Sequence, residues 1–317
     1  MKKAFKIMIV AIMFFSIVSL TGCNKTKKNS KLTIVTTSFP GYDFARAVTK
    51  NSKDVEVKML LKPGAEMHSF EPTPQDIKNI KNSNMFIYVG GDSDEWIEDV
   101  LDDIDTKKTK VIKLMDLVNP VEEEHVEGME EDHDEEENEE EVEYDEHVWT
   151  SPANAIEITN KLKNEIIKID KNNKELYEKN ASNYVKELTS IDNEINDIVK
   201  NSKRKEIIFG DRFPLRYFVE EYGLSYYAAF PGCSEQTEAS AKTISFLIDK
   251  VKKDKIPVVF HIELSNGKIA NTIAKKTGAK VLEFKTGHNI SQKEFDAGVT
   301  FVDIMKENVK VLKEALN

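Results

Sequence analysis

Across residues 174–200 the apolar side chains Tyr177, Ala181, Tyr184, Leu188, Ile191, Ile195 and Ile198 recur at steps of 4, 3, 4, 3, 4 and 3. Steps of three and four follow the helical turn and put all of them on one face, so the segment predicts a single helix about 40 Å long at about 1.5 Å per residue. No other stretch of the chain carries this repeat, which argues for a lone rigid connector rather than a bundle or coiled coil.

On both sides of the connector, β-branched runs alternate with helical patterns. Residues 31–37, 55–61, 85–89 and 111–114 read as strands before it, and 206–209, 258–262 and 280–284 after it. Thr73-Pro74 supplies an N-cap followed by proline at the first helical position. Strands that alternate with helices imply parallel sheets covered by helices. The expected fold class is therefore α/β, with two lobes of parallel sheet and flanking helices joined by one long helix. The expected bounds are 32–172 for the first lobe, 173–201 for the connector and 202–317 for the second lobe.

The first residues set the compartment. Lys2, Lys3 and Lys6 precede an apolar run over residues 7–18, the pattern of an export signal spanning 1–22. Leu20-Thr21-Gly22-Cys23 looks like a bacterial lipobox, which would make Cys23 the lipid-bearing residue of a tether over 23–31. With Cys23 so used, Cys233 is the one other cysteine, and no intrachain disulfide is available. Stability then has to come from apolar cores, for which about 285 mature residues suffice. No basic stripe or RNA-reading motif is present, so nucleic acid is not an expected partner.

Acidity is concentrated in one place. Residues 122–146 hold 17 Asp and Glu with no Lys or Arg, against a net charge of −11, which leaves +6 for the rest of the chain. Two of the six histidines, His125 and His133, lie in this tract, and His147 closes it. A tract of mixed carboxylates and imidazoles suits a borderline divalent metal such as zinc, and His125 and His133 read as a weak accessory collector. The alternative is a solvated acidic loop. His68 follows a strand and the Pro63-Gly64 turn. His261 lies in a strand with Glu263 expected on the same face, and His288 follows the strand ending at Phe284. Ligands of open α/β sheets bind at such strand ends, so His68, His147, His261 and His288 suggest one metal in a cleft between lobes.

Four segments carry a family resemblance: Ile34-Val-Thr-Thr-Ser-Phe-Pro40, Leu61-Lys-Pro-Gly-Ala-Glu-Met-His-Ser-Phe-Glu-Pro-Thr73, Asp145-Glu-His-Val-Trp-Thr-Ser-Pro152 and Thr277-Gly-Ala-Lys280. Together they resemble the zinc and manganese solute-binding lipoproteins of bacterial ABC importers, over nearly the whole mature chain. The resemblance implies two lobes on one long helix, a metal in the cleft, and His68, His147 and His288 as ligands. It also implies an ABC permease with its ATPase as partner, a monomer, and anchorage to the cell membrane through Cys23. The family's third ligand falls on Arg212, which cannot bind a cation. His261 is the preferred substitute and Asp211 the alternative, with a pairing of Arg212 and Glu263 as the other use of those side chains. An imidazole-rich set suits Zn2+ better than Mn2+. Two other functions stay open: an extracellular zinc hydrolase with Glu263 as base, and a metal-buffering adhesin without a transport role.

Overall fold

Strand residues alternate between two apolar environments, and that alternation organises the molecule. The computed structural model describes residues 31–130, 143–234, 236 and 238–317. The expected signal, Cys23 and His133 lie outside the described residues.

The first lobe contains β1 (Leu32–Thr36), α1 (Phe39–Thr49), β2 (Val55–Met59), α2 (Pro74–Lys81), β3 (Met85–Tyr88), α3 (Glu98–Leu101) and β4 (Lys110–Lys113). Next come α4 (Pro152–Ile169) and α5 (Lys174–Asn201). The second lobe contains β5 (Glu206–Arg212), α6 (Arg216–Tyr222), β6 (Ser225–Phe230), α7 (Ala241–Asp254), β7 (Val258–His261), α8 (Lys268–Thr277), β8 (Lys280–Glu283), α9 (Gln292–Ala297) and α10 (Phe301–Leu316). Both sheets are four-stranded and parallel, in the equivalent orders β2-β1-β3-β4 and β6-β5-β7-β8.

Ile34, Met85 and Ile87 of the first sheet, and Ile207, Phe209, Val258 and Phe260 of the second, face one continuous core. Their neighbours Val35 and Phe86, and Ile208 and Val259, face two separate outer cores. Each sheet is thus covered on both faces, as parallel sheets require. The 28-residue α5 runs through the shared core and packs on α1, α4 and α10. Its buried face is the expected one from Tyr177 to Ile195, but the last buried position is Val199 rather than Ile198.

Local signals explain several boundaries. Thr73 caps α2 and forms a reciprocal capping box with Asp76. Ser151 caps α4 with Pro152 at its first position. β6 was not among the expected strands. β7 ends at His261, so Glu263 lies in the turn beyond it and does not share a strand face with His261.

Candidate metal centre

Every loop that supplies the site leaves the carboxyl end of a strand or re-enters from the acidic tract. His68 lies in the segment after β2, Ser93 in the 3-10 turn after β3, Cys233 in the turn after β6, Glu263 after β7, and Thr286 and His288 after β8. The glycine pair that closes β3 shapes one wall. Gly91 has φ of 77°, and a Cβ there would stand 2.7 Å from the Cβ of Glu146. Glycine is what lets the tract end pack against that turn.

His68, His147 and His288 come together, each offering a ring nitrogen within 4.8 Å of the others. Ring centroids are 4.4 Å apart for His147 and His288, 5.5 Å for His68 and His288, and 5.7 Å for His68 and His147. In all three rings Nε2 is buried without a hydrogen-bond partner. Buried polar atoms are normally paired, so three orphaned nitrogens converging on one point mark a place for a cation.

The opposite ring nitrogens are all engaged. Nδ1 of His68 meets Ser93 Oγ at 2.8 Å, Nδ1 of His147 meets Asp145 Oδ1 at 3.2 Å, and Nδ1 of His288 meets Thr286 Oγ1 at 2.6 Å. Both hydroxyls lead on to carboxylates: Ser93 Oγ donates to Glu146 Oε1, and Thr286 Oγ1 donates to Glu263 Oε1 at 2.7 Å. A hydroxyl whose proton goes to a carboxylate can only accept from the imidazole. Nδ1 therefore carries the hydrogen and Nε2 keeps its lone pair for the metal.

Burial pushes the His68 and His147 imidazoles down to about 3, helped at His68 by the neighbouring His147 and at both by the Arg212 guanidinium. Burial likewise drives His288 well below its ordinary value, with His147, His68 and Arg212 adding to it. All three rings are neutral at neutral pH and available as ligands. The outer carboxyls shift the other way: burial raises Glu146 to about 8 and Asp145 to about 6. A divalent cation held in the cleft would supply the charge that favours their ionised forms.

The two lobes are tied around this cluster. Asn289 Nδ2 donates to the carbonyls of Lys62 and Ala65 at 2.8 Å each, and Gly64 N donates to Ile290 O at 2.8 Å. Trp149 Nε1 donates to Thr286 O at 3.0 Å, and its ring stands edge-on to His147 and His288.

His261 and Asp211, the two substitutes considered for Arg212, are not brought into the cluster. His261 turns Nδ1 to the carbonyl of Ile262 at 2.9 Å. Asp211 accepts from Arg212 N at 2.9 Å and from Ile262 N at 3.4 Å, so its carboxylate braces the end of β5. Arg212 pairs with Glu66 across the lobes at 2.8 Å rather than with Glu263. Glu263 instead accepts from the backbone of Thr286, Gly287 and His288 at 2.7, 2.8 and 3.1 Å, which fixes the His288 loop. His125 is exposed on the tract, away from the triad.

The acidic tract also differs from a wholly free loop. Its two ends are paired, with Glu123 N donating to Glu143 O and Asp145 N to Val121 O, each at 3.0 Å. Asp145 and Glu146, inside the expected bounds of the loop, are fully buried partners of the site. Ser93 and Thr286 are site residues that sequence reasoning missed. Their signal is only a hydroxyl in a strand-end loop, and many loops carry one.

Known proteins share this architecture. Residues 34–315 match the family model described as zinc-uptake complex component A, periplasmic. The high-affinity zinc uptake system protein ZnuA of Bacillus subtilis is 32% identical over 95% of this chain and 94% of its own length. The zinc-binding lipoprotein AdcA of Streptococcus pneumoniae is 30% identical over 93% of this chain, which spans 58% of that longer relative. The zinc-bound ZnuA-like domain of the same AdcA superposes with a TM-score of 0.73 at 28% identity, covering 90% of this chain and 99% of that domain. With the match running through both lobes and the connecting helix, the chain belongs to the zinc-uptake complex component A family of solute-binding proteins.

Proposed function

We propose that this chain captures one zinc ion outside the cytoplasm through Nε2 of His68, His147 and His288 and delivers it to an ABC-type permease and its ATPase. The observation that carries the reading is the convergence of three buried, unpartnered Nε2 atoms whose Nδ1 partners are already assigned. Neutral imidazoles are borderline ligands, which favours zinc over the oxygen-seeking manganese. The names of the relatives, a zinc uptake protein and a zinc-binding lipoprotein, point the same way.

Anchorage through Cys23 belongs to this proposal, on the lipobox sequence and the lipoprotein relative. So does binding rather than catalysis. A zinc hydrolase needs a free general base beside the metal. Glu263, the carboxylate considered for that role, is fully occupied in holding residues 286–288.

The test is metal stoichiometry and affinity of the chain, measured by chelator competition with zinc and manganese supplied together. One tightly bound zinc, lost in His68→Ala, is the expected result. Preferential manganese loading, or full zinc affinity in His68→Ala, would sink the reading.

A further inference from the structure

Three imidazoles leave a tetrahedral zinc one ligand short, and structural or storage sites for zinc are normally closed by a fourth protein ligand. Arg212 and Glu66 are committed to each other, Asp211 to two backbone amides, and His261 to its neighbouring carbonyl. Glu146 is held by Ser93 through both its backbone N–H and its hydroxyl. One soft donor remains beside the triad.

Among the described residues, two groups of His, Cys, Asp or Glu bring ligand atoms within 4.8 Å of one another. One is the histidine triad, and the other consists of His68, Glu146 and Cys233. The two groups share His68, so the thiol lies next to one of the three rings. Cys233 is free of any disulfide. The turn that carries it is pressed against a second member of the triad: a Cβ on Gly232 would stand 3.3 Å from both His147 Cε1 and Asp145 Oδ2. Gly232 N donates to Glu123 Oε1 at 3.0 Å, which fastens the turn to the base of the acidic tract.

We infer that Cys233 is the fourth zinc ligand, binding as a thiolate and completing a shell of three imidazoles and one sulfur. The inference rests on the zinc-capture reading and specifies its missing position. The sulfur–zinc bond replaces the sulfur–hydrogen bond, and the proton leaves to solvent. Zinc–nitrogen bonds of about 2.0 Å and a zinc–sulfur bond of about 2.3 Å would draw the four donors closer than they stand here. The thiol is not within 4.8 Å of all three rings, so the Gly232–Cys233 turn closes inward on loading. A thiolate also sharpens discrimination, because soft sulfur suits zinc and disfavours manganese.

Cobalt(II) reports the ligand directly, since thiolate coordination adds an intense near-ultraviolet charge-transfer band to the visible d–d bands of a tetrahedral site. The full chain loaded with cobalt is expected to show both, and Cys233→Ser to keep the d–d bands and lose the sulfur band. Both proteins retain Cys23, so their difference spectrum isolates Cys233. Zinc affinity should fall in Cys233→Ser by at least the roughly 10–100-fold typical of losing an outer partner. Cys233→Ala, which adds no hydroxyl to the turn, should behave alike. Cobalt d–d bands without a sulfur band in the unaltered chain would overturn the thiolate ligand and leave the triad standing. Zinc affinity undiminished from the unaltered chain in both variants would do the same. Absence of all cobalt bands would overturn the capture reading and this inference with it.

Discussion

At the scale of single residues, the site works by dividing each imidazole into two ends. Nδ1 is spent on Ser93, Asp145 or Thr286, which leaves Nε2 unpartnered and open to the proposed zinc. Outer partners of this kind orient ligands and raise their basicity. Ser93→Ala and Thr286→Val should therefore each weaken zinc binding by roughly 10–100-fold while one zinc is still bound. His261→Ala should leave the affinity unchanged. Isothermal titration under chelator competition separates the three, and a loss in His261→Ala alone would reverse the assignment. The three histidines that meet were legible because the family resemblance selected them, whereas strand-end position alone also selected His261, which stands apart. Their hydroxyl partners were not, because Ser93 and His68 meet only once β2 and β3 are placed in the same sheet. Arg212 was legible as a misfit, but its use was not: Glu66 lies 146 positions away on the other lobe.

At the scale of elements, three helices meet at a second acidic junction. Tyr222 of α6 donates to Asp192 of α5 at 2.9 Å, and Ser151, the cap of α4, donates to Glu221 of α6. Burial, reinforced by Asp192, raises the Glu221 carboxyl to about 7 against the Ser151 hydrogen bond that lowers it. A raised folded-state value means that the folded chain binds a proton the unfolded chain has released. That contribution is fully present below the ordinary carboxyl value and is lost as pH rises through about 7. Glu221→Gln should thus stabilise the chain at pH 8 by about 1–2 kcal/mol, a shift discounted for the partial exposure of the group, and change little at pH 5. Thermal unfolding at the two pH values decides it, and equal shifts at both would show that the carboxyl does not titrate there. The helices themselves were largely readable, since α5 buries the face that its spacing predicted. The departures have physical causes. The spacing from Ile195 continues by four, to Val199, because at about 100° per residue that position lies nearer the centre of the buried stripe than Ile198 does. β6 is a short Ser-Tyr-Tyr-Ala-Ala-Phe run, and its small alanines weaken the β signal that burial beside β5 supplies in the fold.

Across the whole molecule, a core shared by both sheets and α5 limits how far the lobes can separate, so loading is expected to adjust loops rather than swing domains. The acidic tract is attached to that frame in a way its composition did not reveal. Glu122 pairs with Tyr144 in an isolated antiparallel bridge, Glu130 N donates to Ala229 O at 3.0 Å, and Glu124 pairs with Arg216 at 3.1 Å. Removing the full run 122–146 would therefore take away Asp145 and Glu146 and damage the centre itself. Replacing residues 131–142 with an equally long Gly/Ser segment keeps the span between Glu130 and Glu143, each of which already has partners in the fold. Loop length, and with it the closure cost, stays the same, so stability should change by no more than about 1 kcal/mol. Zinc affinity at the triad should be unchanged, while uptake from scarce zinc should slow if the carboxylates and His133 collect metal for the cleft. Competition titrations and uptake at limiting zinc, run on the same variant, test the two halves separately. Unchanged uptake would reduce the tract to a solvated loop, and lost affinity would mean that residues 131–142 reach the centre.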